Sequence, residues 1–154
     1  MRKIIGLLAG LIAAVSLQAA PVPEARNLSP EPKRFGDYEV HFSAFNSTFV
    51  SPEIAGVYKL QRGPRNGIVN IAVRNVKGSE IGKATTATVE GESVNLLSQS
   101  SKLKFREVRE GDAIYYLAGF RFSNEEMLKF TIRLKPNGEG RTESFEFRRQ
   151  FYED

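Results

Sequence analysis

Phe35-Gly-Asp-Tyr-Glu-Val-His-Phe-Ser-Ala-Phe-Asn-Ser-Thr-Phe49 is the stretch whose period decides the fold. Tyr38, Val40, Phe42 and Ala44 fall on one side, and Asp37, Glu39, His41 and Ser43 on the other. That two-residue repeat is the mark of a half-buried strand. The strand runs into a polar cluster, Asn46-Ser47-Thr48. Ser51-Pro52-Glu53 then starts a short helix over residues 51–58, since Ser51 can cap, Pro52 suits the first helical position and Glu53 favours the positive end.

The same period continues downstream. Residues 68–76 place Val69, Ile71 and Val73 together, residues 113–122 align Ile114, Tyr116, Ala118, Phe120 and Phe122, and residues 127–135 align Leu128, Phe130, Ile132 and Leu134. The last strand, 141–152, aligns Phe145, Phe147 and Phe151. Residues 83–90 are Thr-rich and only weakly apolar, which predicts an edge strand or a half-exposed hairpin arm. Residues 102–109 alternate in part. Turn signals at Gly63–Gly67, Glu110–Asp112 and Pro136–Gly140 separate these runs. The pattern predicts an all-β fold: a single Ig-like antiparallel β-sandwich of about seven strands with one short helix after the first, a closed barrel being the second choice.

Two positions refine this prediction. Tyr115 and Leu117 occupy the places of the tyrosine corner and second cysteine of an immunoglobulin strand, yet apolar parity favours Tyr116, and the chain has no tryptophan to complete such a core. Arg149 shares parity with Phe147 and Phe151, so a β-bulge at Arg148-Arg149 is expected to keep both charges outside.

Residues 1–20 read as a secretory signal peptide. Arg2 and Lys3 form its positive start, residues 4–15 an apolar or glycine run, and Ser16 to Ala20 a small-residue cleavage region, with the cut expected after Ala19 and a retained anchor as the alternative. The run is shorter than the ~20 residues of a spanning helix, and no second candidate follows, so no transmembrane segment is expected after cleavage. A periplasmic address follows. Residues 21–34 hold four of the seven prolines and read as an extended linker. Residues 35–154 form the domain. With no cysteine there is no acylated lipoprotein N-terminus and no disulfide. The mature part, about 134 residues, is long enough for one domain that buries about two-thirds of its unfolded surface.

The net charge is +4, and removing Arg2 and Lys3 leaves 20 basic against 18 acidic residues, a net +2. Interspersed signs give no support for a nucleic-acid partner. Basic and aromatic residues do interleave at Lys102–Arg106 and Phe145–Arg149, but strand alternation produces that pattern by itself.

Catalysis and metal binding find few candidates. Ser43 and Asp37 or Glu39 could be drawn into a triad with His41, but strand residues two apart sit ~6.6 Å apart, beyond hydrogen-bond reach. Ser101 and Lys104 have a serine-acylase spacing that works on a helix, whereas on a strand they point to opposite faces. One histidine, no cysteine and two methionines do not build the usual zinc or copper sites, and the carboxylates are too sparse for calcium. No cofactor and no catalytic set is expected.

The first stretch, with Pro52-Glu53-Ile54-Ala55, Tyr58, Val69 to Val73 and Phe105 to Tyr116, resembles the bacterial exported domain-of-unknown-function family 4426 across the whole mature chain. The resemblance implies an exported β-sandwich and transfers no catalytic residues. Position 42 is Phe where the family pattern has Tyr, which removes a hydroxyl from that strand.

The functional expectation is a non-enzymatic binding or accessory module. Its surface would be the polar corner of His41, Asn46, Ser47 and Thr48 with Arg62 and Arg65 nearby, or an exposed sheet edge. Its partner would be another envelope protein or a small polar ligand. The alternative is a small enzyme with His41 as general base.

Overall fold

The computed structural model describes residues 30–154, so the expected signal peptide and residues 21–29 of the linker lie outside the described residues. Ten strands, one 3₁₀ turn and one helix follow in order: β1 Lys33–Phe35, β2 Tyr38–Asn46, the turn Ser47–Phe49, α1 Pro52–Val57, β3 Asn66–Asn75, β4 Lys83–Thr85, β5 Ala87–Val94, β6 Ser100–Leu103, β7 Arg106–Glu110, β8 Ala113–Arg121, β9 Glu126–Pro136 and β10 Glu143–Phe151. They form two antiparallel sheets packed face to face. One has the order β1-β2-β3-β8-β7, with β4 also on β3, and the other β10-β9-β5-β6.

The alternation that defines these strands also defines the core. Val40, Phe42 and Ala44 of β2, Val69, Ile71 and Val73 of β3, and Ala118 and Phe120 of β8 face Phe130, Ile132 and Leu134 of β9 with Phe145 and Phe151 of β10, all buried. Burying one such Val, Leu, Ile or Phe side chain stabilises the fold by about 1.5–3 kcal/mol. Phe42 packs 4.9 Å from Phe145 and 4.8 Å from Phe147 between ring centroids, joining the β2 and β10 margins of the two sheets. It faces the interior, so a hydroxyl at this position would not share the face of His41. Gly67 is required by that core, because a Cβ there would come within 2.1 Å of the Phe120 ring.

Ten strands replace about seven for three reasons. Lys33 and Arg34, expected in the proline-rich linker, join Phe35 in a strand that pairs with Tyr38–Val40 as a hairpin arm. Residues 83–90 split at Thr86, and residues 102–109 split at Lys104-Phe105. At each break the chain leaves one sheet and enters the other. The weakly apolar segment is an edge arm only in its first part: β4 pairs with β3 alone, whereas β5 lies inside its sheet, paired with β9 on one side and β6 on the other. The Thr86 crossing is clasped across the sheets by Tyr116. Its hydroxyl accepts from Ala87 N at 2.8 Å and donates to Glu107 Oε1 at 3.0 Å, and burial is the main cause raising its pKa. Parity had favoured Tyr116 over Tyr115, and Tyr116 is the buried one.

The bulge expected at Arg148-Arg149 is absent. Nine consecutive pairs, Glu143 with Leu134 through Phe151 with Glu126, keep one register. Both arginines are exposed all the same, because β10 is an edge strand and a long side chain can lift its charged head past the margin. The Arg149 guanidinium stands 6.0 Å from the Phe151 ring centroid, within cation–π range.

Candidate functional site: a polar corner and an outer-face hollow

The residues singled out by the sequence divide between two places. Asn46, Ser47, Thr48, Arg62 and Arg65 meet at one end of the sandwich. His41 lies on the outer face of the first sheet, five residues back along β2, or ~16 Å at strand rise.

At the corner nearly every polar group is engaged within the chain. Buried Ser47 donates its hydroxyl to Gly63 O at 3.1 Å and accepts from Gly63 N at 2.9 Å, closing the loop between the 3₁₀ turn and β3. Asn46 Nδ2 donates to Tyr152 O at 2.9 Å, and the Thr48 hydroxyl donates to Asp154 Oδ2. The Thr48 hydroxyl first, and the nearby Asn46 side-chain amide second, lower the Asp154 pKa. Arg62 donates to Val50 O at 2.9 Å and Thr48 O at 3.4 Å, and Arg65 holds Glu153 at 3.0 Å. Ser51 caps α1 by accepting from Ile54 N at 3.3 Å. Glu53 has its pKa lowered, first by its own backbone N–H and then by the Ser51 hydroxyl. Past α1, the Tyr58 hydroxyl donates to Glu110 on β7, which raises the phenol pKa.

On the outer face, the register sets Glu39 opposite Arg74, His41 opposite Ala72 and Ser43 opposite Asn70. His41, Ser43, Asn70, Ala72 and Arg74, with Pro30 and Tyr115, surround a hollow of about 280 Å³. His41 Nε2 stands 2.7 Å from Glu39 Oε1, with about half of the imidazole exposed; the two-residue spacing, expected to keep this pair beyond reach, separates only the backbones, and two long side chains on one face close the gap. Arg74 is fixed away from any carboxylate, donating to Ile81 O at 2.7 Å and Gly82 O at 3.1 Å. Asn70 Oδ1 differs from all of these. It is buried and has no hydrogen-bond partner, alone in that respect among the side-chain atoms of the described residues. Such an acceptor normally finds a donor, since leaving one unmade costs about 1–3 kcal/mol. Sequence reasoning missed Asn70, and Tyr115 as a wall of this hollow, because a lone Asn on a solvent-side strand position carries no local signal. The register opposite Ser43 is what gives it a place.

The family model described as a domain of unknown function, DUF4426, matches residues 32–154. The chain belongs to the DUF4426 family. A crystal structure of a DUF4426-family protein from Pseudomonas aeruginosa is 35% identical, covers 82% of this chain and 97% of its own, and gives a TM-score of 0.71. FetP of uropathogenic Escherichia coli strain F11, recombinantly expressed in the periplasm, is 14% identical over 81% of this chain and 95% of its own, with a TM-score of 0.58. A copper-bound variant of FetP is also 14% identical, over 80% and 95%, with a TM-score of 0.59. These two share the fold of this DUF4426 chain. No curated protein matches it. Among the described residues, no helix of this family member is long and apolar enough to cross a membrane.

Proposed function

We propose that this DUF4426 chain is an exported, non-enzymatic binding module that takes a small polar ligand in the outer-face hollow. The observation that carries the reading is the orphaned Asn70 Oδ1 beside Ser43 and His41. A ligand bearing a hydrogen-bond donor would satisfy that acceptor once the amide turns into the hollow, which lies just under the usual size range of small-molecule pockets. The corner residues serve this module as scaffold, since their polar groups already have partners. Export to the periplasm is supported by the signal-like residues 1–20.

Copper, present in the FetP variant, does not fit here. His41 and Glu39 supply two donors, and no group of three or more His, Cys, Asp or Glu side chains among the described residues could hold a metal ion. Copper sites usually draw on several imidazole, thiolate or thioether ligands.

The test is a chemical-shift screen of the folded protein against a panel of small polar metabolites. Expected are perturbations centred on His41, Ser43 and Asn70 that vanish in Asn70→Leu. Perturbations confined to the Asn46–Thr48 corner would overturn the reading. One observation favours a second reading: a histidine braced by a carboxylate in a concave site is how a general base is held. Turnover of an ester or phosphoester panel that His41→Ala abolishes would favour that enzymatic alternative.

A further inference from the structure

The second sheet ends in a step. β5 pairs with β9 along its whole length, Ala87 to Val94, but with β6 only from Gly91 to Val94. Past Leu103 the chain leaves that margin and crosses to β7 in the other sheet. Residues 87–90 therefore have a strand on one side alone. Ala87 N finds the Tyr116 hydroxyl at 2.8 Å in place of a strand, and the rest of the step opens as a cleft of about 490 Å³. That volume falls inside the usual range for small-molecule sites. The cleft is separate from the hollow: Tyr116 faces the core, whereas Tyr115, next along β8, walls the hollow on the outer face.

Its wall is polar and held in place. Glu107 takes both of its contacts, from Tyr116 at 3.0 Å and Arg109 at 3.4 Å, on Oε1, which leaves Oε2 open to the cleft. The Thr86 and Thr88 hydroxyls and the Asn137 side-chain amide also line it, and none of the three has a hydrogen-bond partner among the described residues. Asn137 and Gly138, with φ of 56° and 69°, are the two left-handed positions of a type I′ turn that Glu139 N closes on Pro136 O at 3.3 Å. Asn137 N donates to Thr86 O at 2.6 Å, pinning that turn to the start of β5. Half-buried Phe105, packed against the core, supplies the one aromatic ring of the lining besides Tyr116.

We propose that this cleft binds a neutral saccharide. Arg109 already offsets Glu107, so no spare negative charge awaits a cation, and no lysine or arginine lines the cleft to meet an anion. What it offers is a mixture of acceptors and donors beside an aromatic ring. An ionised Glu107 only accepts, whereas the threonine hydroxyls and the Asn137 amide both donate and accept. Neighbouring sugar hydroxyls, each a donor and an acceptor, match that set, and the C–H face of a sugar ring matches Phe105. An apolar ligand would leave the polar groups unmet. An added peptide strand would have to displace the Tyr116 hydroxyl from Ala87 N.

The test is an NMR titration of the folded protein with maltose and with N-acetylglucosamine, run beside spermidine and citrate as charged probes. Expected with at least one saccharide are shifts of the amides of residues 86–89, 105 and 137–138, with Kd in the millimolar range. Asn137→Gly keeps the left-handed turn and Thr88→Val keeps the side-chain shape. Each should weaken that binding about three- to tenfold while thermal melts show the domain intact. No saccharide response at these amides, wild-type affinity in both variants, or a larger response to spermidine or citrate each overturns the proposal. Asn70→Leu should bind the saccharide as the wild type does; a loss there would place the ligand in the hollow and overturn the proposal as well.

Discussion

The corner around Ser47 and the hollow around Asn70 are both polar, both built on β2 and β3, and differ in one physical respect. In the corner, hydroxyls, amides and guanidinium groups find partners in the backbone and in the C-terminal Tyr152, Glu153 and Asp154. In the hollow, a buried carbonyl oxygen has none. Density of polar residues in a sequence marks either kind of place. Hydrogen-bond satisfaction separates a brace from a seat for a ligand.

The largest effect that could break this comparison belongs to the corner. Ser47→Ala removes a donor and an acceptor at once and strands the Gly63 N–H, while Gly63 O keeps Asn66 N at 3.2 Å, so a loss of about 1–3 kcal/mol is expected in urea unfolding. A loss under about 0.5 kcal/mol would mean the clasp is ornamental. Asn70→Leu should act with the opposite sign. Removing an unpartnered buried acceptor leaves stability unchanged or raises it by up to about 1 kcal/mol, read from the same denaturation curves. If Asn70→Leu is as damaging as Ser47→Ala, the hollow is structural too.

Smaller effects sharpen the corner further. Arg65→Ala breaks an exposed pair with Glu153 and should cost no more than about 0.5 kcal/mol, since such pairs are screened by water. A double-mutant cycle with Glu153→Ala measures it. Asp154 supplies the pH test. Its folded pKa is lowered by Thr48 and then Asn46, so its contribution is present above the unfolded carboxylate pKa of about 4 and lost as pH falls through the lower folded value. Thr48→Val should therefore flatten the acid side of the stability–pH profile, the variant being less stable than the wild type above about pH 4 and converging with it as pH falls through the folded value. Thermal melts from pH 2 to pH 7 decide it.

Much of the fold was legible in the chain. Strand periodicity placed Val40, Phe42, Phe120, Phe130 and Phe151 in the core because a half-buried strand repeats every two residues whatever its neighbours. The breaks at Thr86 and at Lys104-Phe105 were not legible. A strand that changes sheets keeps its alternation, and only its hydrogen-bond partners change. Arg149 misled in another way: parity assumes a side chain stays over its own face, and an edge strand lets an arginine leave it. In the site, residue type identified His41 and the corner, whereas Asn70 needed the cross-strand register.

The uninterrupted pairing of β10 with β9 has a colloidal consequence. Its outer margin is a straight row of backbone donors and acceptors, the geometry on which a further strand can add. Arg148 and Arg149 stand side by side in that row, and the approach of a second molecule margin to margin would set arginine against arginine. Two consecutive positive charges on this edge strand would thus disfavour the addition of a second copy at an otherwise adhesive seam.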